Sequence, residues 1–182
     1  TSNPKRGTDK ADELATVTGK IEFVSQSLMK YTPDDDERAP LPKYIPSWEG
    51  HESELAKKYP LQLISPHPRF SFHTHHDTRV PWLSEIPEHR MWIDGYNYQI
   101  CRIHPKDAAA RGIKHGDVIK LYNDRAAVLL AAYVTERVRP GVVHSYEGAS
   151  RYDPLQRGNP DSPDRGGCVN LLSPGRMMSK NV

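Results

Sequence analysis

Sixteen prolines and twelve glycines punctuate the 182 residues of this chain. Proline fixes φ and lacks a backbone N–H, and glycine weakens regular elements, so a sequence broken this often is confined to short helices and strands. Pro33, Pro40, Pro42 and Pro46 interrupt residues 32–50, which also hold the acidic run Asp34-Asp35-Asp36-Glu37. That segment reads as an extended, solvated connection. With 36% hydrophobic residues, the chain predicts a modest core carrying long ordered loops.

Between the breaks, apolar periodicity marks the elements. Gly19 to Val24 alternates and predicts a short strand, and Gln26 to Lys30 a helical turn. Leu61 to Ile64 predicts a buried strand that stops at Ser65-Pro66-His67-Pro68. Residues 77–98 read as a loop anchored by Trp82 and Trp92, and Gln99 to Ile103 as a strand. Pro105 suits the first position of a helix, Asp107 favours its positive end, and Gly112 stops it. Gly116 can take positive φ while the Asp117 side chain closes the turn. Val118 to Tyr122 and Ala126 to Val134 predict two strands joined at Asn123-Asp124-Arg125, followed by short strands at Val142 to His144 and Val169 to Leu172. Many short strands with one compact helix predict a mainly β fold with short helices, a closed β-barrel with loops gathered on one face. The expected organisation is a tail over 1–15, a lead-in strand and Pro-rich connection over 16–60, and the barrel over 61–182.

Several functions have no support here. Twenty-five basic and 23 acidic residues leave a formal charge of +2, which gives no reason to expect a nucleic acid. No apolar run approaches the roughly 18 residues of a membrane span. No signal peptide opens the chain, which begins at Thr1; this predicts a cut or processed piece in the cytoplasm. Cys101 and Cys168 stand far apart with no CxxC spacing, so no zinc ribbon, thioredoxin motif or complete iron–sulfur ligand set is present. No nucleophile elbow, GxGxxG or GxxxxGK[ST] is found.

Three groupings can carry binding. His67, His73, His75 and His76 fall within ten residues; they read as a metal site, as part of a polar-ligand cleft, or as structural histidines. No Cys or carboxylate spacing completes a catalytic metal site around them. The wider stretch Ser65 to Thr74 adds the planar fork of Arg69, the neutral donors Ser71, His73 and Thr74, and the flat rings of Phe70 and Phe72. Near the end, Asn170, Ser173, Arg176, Ser179 and Lys180 follow Gly166-Gly167, where backbone can approach a ligand closely. Both stretches also read as ordinary surface loops, the second as a frayed basic terminus. On residues alone this is a β-rich binding module for a flat, polar, anionic ligand.

Four pieces resemble the C-terminal domain of the molybdopterin-dinucleotide oxidoreductases, the dimethyl sulfoxide reductase family. They are Thr18-Gly19-Lys20-Ile21-Glu22-Phe23, the strand and loop 61–76, the stretch IHPKDAAARGIKHGD at 103–117, and Val169-Asn170-Leu171-Leu172-Ser173. The likeness covers most of 16–182, and the 103–117 piece is the most specific for the fold. Two stretches, SPHPRFSFHTHHD and VNLLSPGRMMSKNV, look like the transhydroxylase branch, supported by VTERVRPGVVHSYEGASRYDPL. Many members carry Thr-Gly-Arg where this chain has Pro68-Arg69, which favours that branch.

The resemblance implies a double-psi β-barrel of the aspartate decarboxylase-like type that caps a molybdopterin guanine dinucleotide. His67, Arg69, Ser71, His73, Thr74, Asn170, Ser179 and Lys180 would hydrogen-bond the cofactor. Molybdenum or tungsten would be held through other domains, with no catalytic residue, metal ligand or iron–sulfur cluster in this chain. The implied partners are the remaining domains of a large subunit and an iron–sulfur electron-transfer subunit. The implied reaction is transhydroxylation of a polyhydroxylated aromatic, with no turnover by the 182 residues alone. The alternatives are a free-standing non-catalytic barrel subunit, or a module of a molybdopterin enzyme with another substrate, such as an inorganic reductase.

Overall fold

The computed structural model describes residues 14, 16–71, 80–147 and 151–175. They divide into two compact units, one spanning Ser47–Pro174 and the other formed by Thr1–Pro46 with Gly175–Val182. In the smaller unit, helix α1 (Gln26–Tyr31) starts where the Ser25 hydroxyl accepts the Leu28 N–H at 3.3 Å, a side-chain cap. The strand expected over Gly19 to Val24 does not form. Gly19 sits at φ +72, and Ile21 and Phe23 are 74% and 76% exposed. Alternation alone gives no strand where no neighbouring strand offers a ladder.

The larger unit is mainly β. It carries the short helices α2 (Leu55–Lys58), α3 (Pro81–Ser84) and α4 (Pro105–Ala109) and a single 3-10 turn at Val169–Leu172. Its strands are β1 (Gln62–Ile64), β2 (Arg90–Ile93), β3 (Tyr96–Ile103), β4 (Val118–Tyr122), β5 (Ala127–Val134) and β6 (Val142–His144). They form one six-stranded sheet in the order β1-β6-β3-β5-β4, with β2 added to β3. Pairing is mixed: β1–β6 and β3–β5 are parallel, the other pairs antiparallel. Helix α4 begins as its residues dictate, with Pro105 in the first turn, the His104 ring accepting the Lys106 N–H, and Asp107 at the positive end. Gly116 takes φ +89, and the Asp117 carboxylate accepts the Lys114 N–H at 2.7 Å.

Ile100, Cys101 and Ile103 of β3, Val128 and Leu130 of β5, and Val143 of β6 make the core, closed by Ala108, Val169 and Leu172. Strand β4 at the edge alternates between half-buried and exposed residues. Two expectations are corrected. Residues 77–98 are not all loop, because Asp94 (φ 48) and Gly95 (φ 77) form a two-residue turn that pairs β2 with β3. Trp82 and Trp92 are not anchors: they are 74% and 67% exposed. Arg90 is the residue of β2 that turns inward, its guanidinium donating to Asn97 O at 2.9 and 3.2 Å. Val169 to Leu172 forms a helical turn rather than a strand, because Val169 and Leu172, three apart, both enter the core while Asn170 and Leu171 stay outside.

Candidate functional site

The loop after β1 is built by strand pairing that continues past Ile64. Ser145 N–H donates to Ile64 O at 3.1 Å, and Glu147 N–H donates to Pro66 O at 2.9 Å. Pro66 and Pro68 offer no N–H, so the segment stays extended with only one paired edge. Pro68 is buried, and its neighbours His67 and Arg69 face outward. His67 Nδ1 meets the Glu147 carboxylate, which turns Nε2 to the other side of the ring. The Arg69 guanidinium lies 5.3 Å from the Phe70 ring centroid and makes no hydrogen bond among the described residues. Phe70 stands edge-on to the buried His89, with centroids 6.1 Å apart. Ser71 is half-buried, at the last described position of this loop. His73 and Thr74 lie outside the described residues, as do His75 and His76. Among the described residues, no group of three or more His, Cys, Asp or Glu side chains is placed to hold a metal ion.

The second segment hangs on Asp164, which is fully buried. Its Oδ1 accepts the N–H groups of Asp153 at 2.7 Å and Gly166 at 3.0 Å, and its Oδ2 accepts Cys168 N–H at 2.8 Å. Its backbone bridges to β5: Asp164 N–H donates to Ala127 O and Leu129 N–H donates to Asp164 O. Gly166 and Gly167 then pass against Arg151 and Gln99 with no room for side chains. Asn170 emerges from the 3-10 turn exposed, with no side-chain hydrogen bond among the described residues. Ser179 and Lys180 fall outside the described residues, as does Arg176.

The roots of the two segments share a wall. Gln62 and Leu63 on one side and Leu172, Ser173 and Pro174 on the other line a cavity of about 300 Å³. His67, Arg69 and Ser71, on the first strip, follow one of these roots and Asn170, on the second, precedes the other, and none of the four lines the cavity itself. Arg69 and Asn170 carry side-chain N–H donors suited to a polar, anionic ligand. Cys101 is fully buried, and burial pushes its thiol up to about 12, the setting of a packed core cysteine.

Sequence reasoning missed Glu147, Asp164 and a lock at the base of the second strip. There the buried Asp153 accepts the Tyr96 hydroxyl at 2.9 Å and meets Arg165 Nε and Arg151 Nη2, each at 3.0 Å. Arg165 also covers the Tyr96 ring at 4.6 Å. Burial, followed by the Asp153 hydrogen bond, pushes the Tyr96 hydroxyl up to about 12. For Asp153, burial alone raises the carboxyl, but the Tyr96 hydroxyl and the two arginines outweigh it and hold it below the ordinary carboxylate value. Its value when folded is thus lower than when unfolded. The stabilisation is complete above the ordinary carboxylate range and fades as pH falls through the depressed folded value. Melting temperatures taken from pH 7 down to pH 3 should fall less steeply for Asp153→Asn than for the native chain. Parallel curves would remove Asp153 from the account of acid sensitivity.

Residues 61–180 match the family described as "Molydopterin dinucleotide binding domain". Pyrogallol hydroxytransferase large subunit of Pelobacter acidigallici is 50% identical over 171 residues, covering 92% of this chain and 19% of that protein. Dimethyl sulfoxide reductase DmsA of Escherichia coli is 38% identical over 168 residues, with 90% and 19% covered. The solved structure of acetylene hydratase from Pelobacter acetylenicus shares the fold, with a TM-score of 0.56 at 24% identity over 88% of this chain and 20% of that one. The chain spans about one fifth of the length of these relatives. The mainly β, barrel-type architecture predicted from the sequence is the one found, and the chain belongs to the molybdopterin dinucleotide binding domain family.

Proposed function

We propose that this domain forms one wall of a molybdopterin guanine dinucleotide site in a larger molybdenum- or tungsten-dependent oxidoreductase. The reading extends to a transhydroxylase of polyhydroxylated aromatics, of the pyrogallol-to-phloroglucinol type; the 50%-identical relative, named a pyrogallol hydroxytransferase large subunit, supports it. The observation that carries the cofactor reading is a pair of donor side chains, Arg69 and Asn170, with no hydrogen bond among the described residues, on two strips whose roots line one cavity.

The residues present fit such a group. Ser65 Oγ, at the start of the first strip, is buried with no hydrogen-bond partner among the described residues, an orphan that a polar ligand or water would satisfy. Arg69 presents a planar fork suited to paired phosphate or pterin oxygens. His67 faces outward from the same strip, its Nδ1 on the Glu147 carboxylate. Asn170 can both donate and accept. Ser71, His73, Thr74, Ser179 and Lys180 extend the proposed contact set. When bound, the cofactor supplies the redox-active metal. This chain's residues bind, orient and shield it from water; the metal ligand, acid–base groups and iron–sulfur centres belong to other domains or a partner subunit. A single wall of the site should give weak cofactor binding and no turnover.

In the full-length polypeptide, Arg69→Ala should lower bound guanine nucleotide, assayed after acid release. Losing one charged hydrogen-bonding group corresponds to roughly tenfold or more in affinity. Undiminished nucleotide content in a folded Arg69→Ala protein would remove Arg69 from the site.

A further inference from the structure

Side-chain donors from two residues converge on one backbone oxygen. Asn123 Nδ2 donates to Leu172 O at 2.7 Å, and Arg125 donates to it from Nε at 3.0 Å and from Nη2 at 2.5 Å. A carbonyl has two lone pairs, so this one is held by more donors than satisfaction requires. The guanidinium is itself held: Nη1 and Nη2 donate to the two Glu49 carboxylate oxygens at 2.8 and 2.6 Å. The donors are aimed by their turn, since Asn123 Oδ1 accepts the N–H groups of Arg125 at 2.9 Å and Ala126 at 3.3 Å. On the outer side of that turn, Asp124 ties it to Lys58 and Tyr59.

Leu172 is the last residue of the 3-10 turn that carries Asn170. Packing of Val169 and Leu172 fixes how deep the turn sits. It leaves the direction of the outgoing chain open, because Ser173 and Pro174 are exposed. A clamped Leu172 carbonyl supplies that direction. The charges agree with a tight joint: its hydrogen bond to Arg125 holds the Glu49 carboxyl below its ordinary value, and Glu49 in turn raises Arg125.

We infer that Asn123, Arg125 and Glu49, on the wall of the cavity at the roots of the two strips, form a clamp that aims residues 170–174, acting as positioning residues for the cofactor wall. The inference rests on the cofactor reading above and adds the residues that hold its second strip in place.

The test uses the full-length polypeptide as native protein, Arg125→Lys and Glu49→Gln. Glu49→Gln keeps the guanidinium on Leu172 O and serves if Arg125→Lys does not fold. Two quantities are followed: the half-time for loss of guanine nucleotide into cofactor-free buffer, and amide hydrogen exchange. Arg125→Lys should speed nucleotide loss roughly tenfold and exchange at Leu171 and Ser173 by a similar factor. Exchange along β5 should hold within about twofold, and Glu49→Gln should fall between. Exchange that rises equally along β5 would mark a merely structural role and overturn the inference. So would unchanged nucleotide retention beside native protein that holds it. Native protein with no guanine nucleotide at all would instead overturn the cofactor reading and, with it, the positioning role.

Discussion

Gly166→Ala is expected to cost the domain about 3–5 kcal/mol, or to prevent folding outright. A Cβ built at Gly166 lies 2.1 Å from Arg151 O, 3.0 Å from Arg151 C and 3.1 Å from Asp164 Oδ1. The first two contacts are with backbone, which cannot swing aside as a flexible side chain would. Relief needs residues 151 and 166 to part, and that strains the Asp164 bonds to Asp153 and Gly166. Gly167 is next in severity: it sits at φ +92, and its Cβ would fall 2.7 Å from Gln99 Cβ. Gly112 is the control, at φ +66 with open space around it, so alanine there carries conformational strain alone, about 1–2 kcal/mol. Urea midpoints of the three alanine variants should rank Gly112 above Gly167 above Gly166. A Gly166→Ala midpoint equal to that of Gly112→Ala would show that the loop is not packed against Arg151 as described.

That loop is also where the sequence was hardest to read. Strands β4 and β5 were legible because their apolar residues run without a breaker and Asn123-Asp124-Arg125 separates them. Helix α4 was legible from Pro105, Asp107 and Gly112, each of which acts within its own few residues. The β2–β3 hairpin carries an equally local signal, Asp94-Gly95, which the reading of 77–98 as a loop anchored by Trp82 and Trp92 leaves out. Periodicity alone does not decide burial: Arg90 and Trp92, two apart, share a face of β2, yet Arg90 is buried and Trp92 is exposed. The spacing of Val169 and Leu172 was a similar local hint, since residues three apart share a face of a 3-10 turn and not of a strand.

The candidate site divides along the same line. Arg69 and Asn170 were legible because their chemistry, fork and amide, is intrinsic to the side chain. Glu147 lies 80 residues beyond His67, and only the parallel pairing of β1 with β6 brings them together. Arg125 was readable as a hairpin residue and not as the holder of Leu172, 47 positions away. Local propensity cannot specify a contact that depends on which strands become neighbours.

Asp164 shows the strongest such dependence, and its replacement is the second large effect expected. Asp164→Ala should cost about 3–5 kcal/mol, because it leaves three N–H groups, those of Asp153, Gly166 and Cys168, without their carboxylate acceptor around a fully buried position. Asp164→Asn keeps the shape and isolates the chemistry. Its amide oxygen can serve Asp153 and Gly166 N–H, but its NH₂ then faces Cys168 N–H, donor against donor at the position of a 2.8 Å bond. About 2–3 kcal/mol is expected for that single mismatch. The backbone bridges from residue 164 to Ala127 and Leu129 survive both changes, so unfolding should remain one transition with an unaltered denaturant slope. Exchange at Gly166 and Cys168 amides should accelerate before that of β5. If Asp164→Asn melted within about 0.5 kcal/mol of the native chain, the carboxylate would not be what joins the 151–168 loop to the sheet. The second strip of the proposed cofactor wall would then need another foundation.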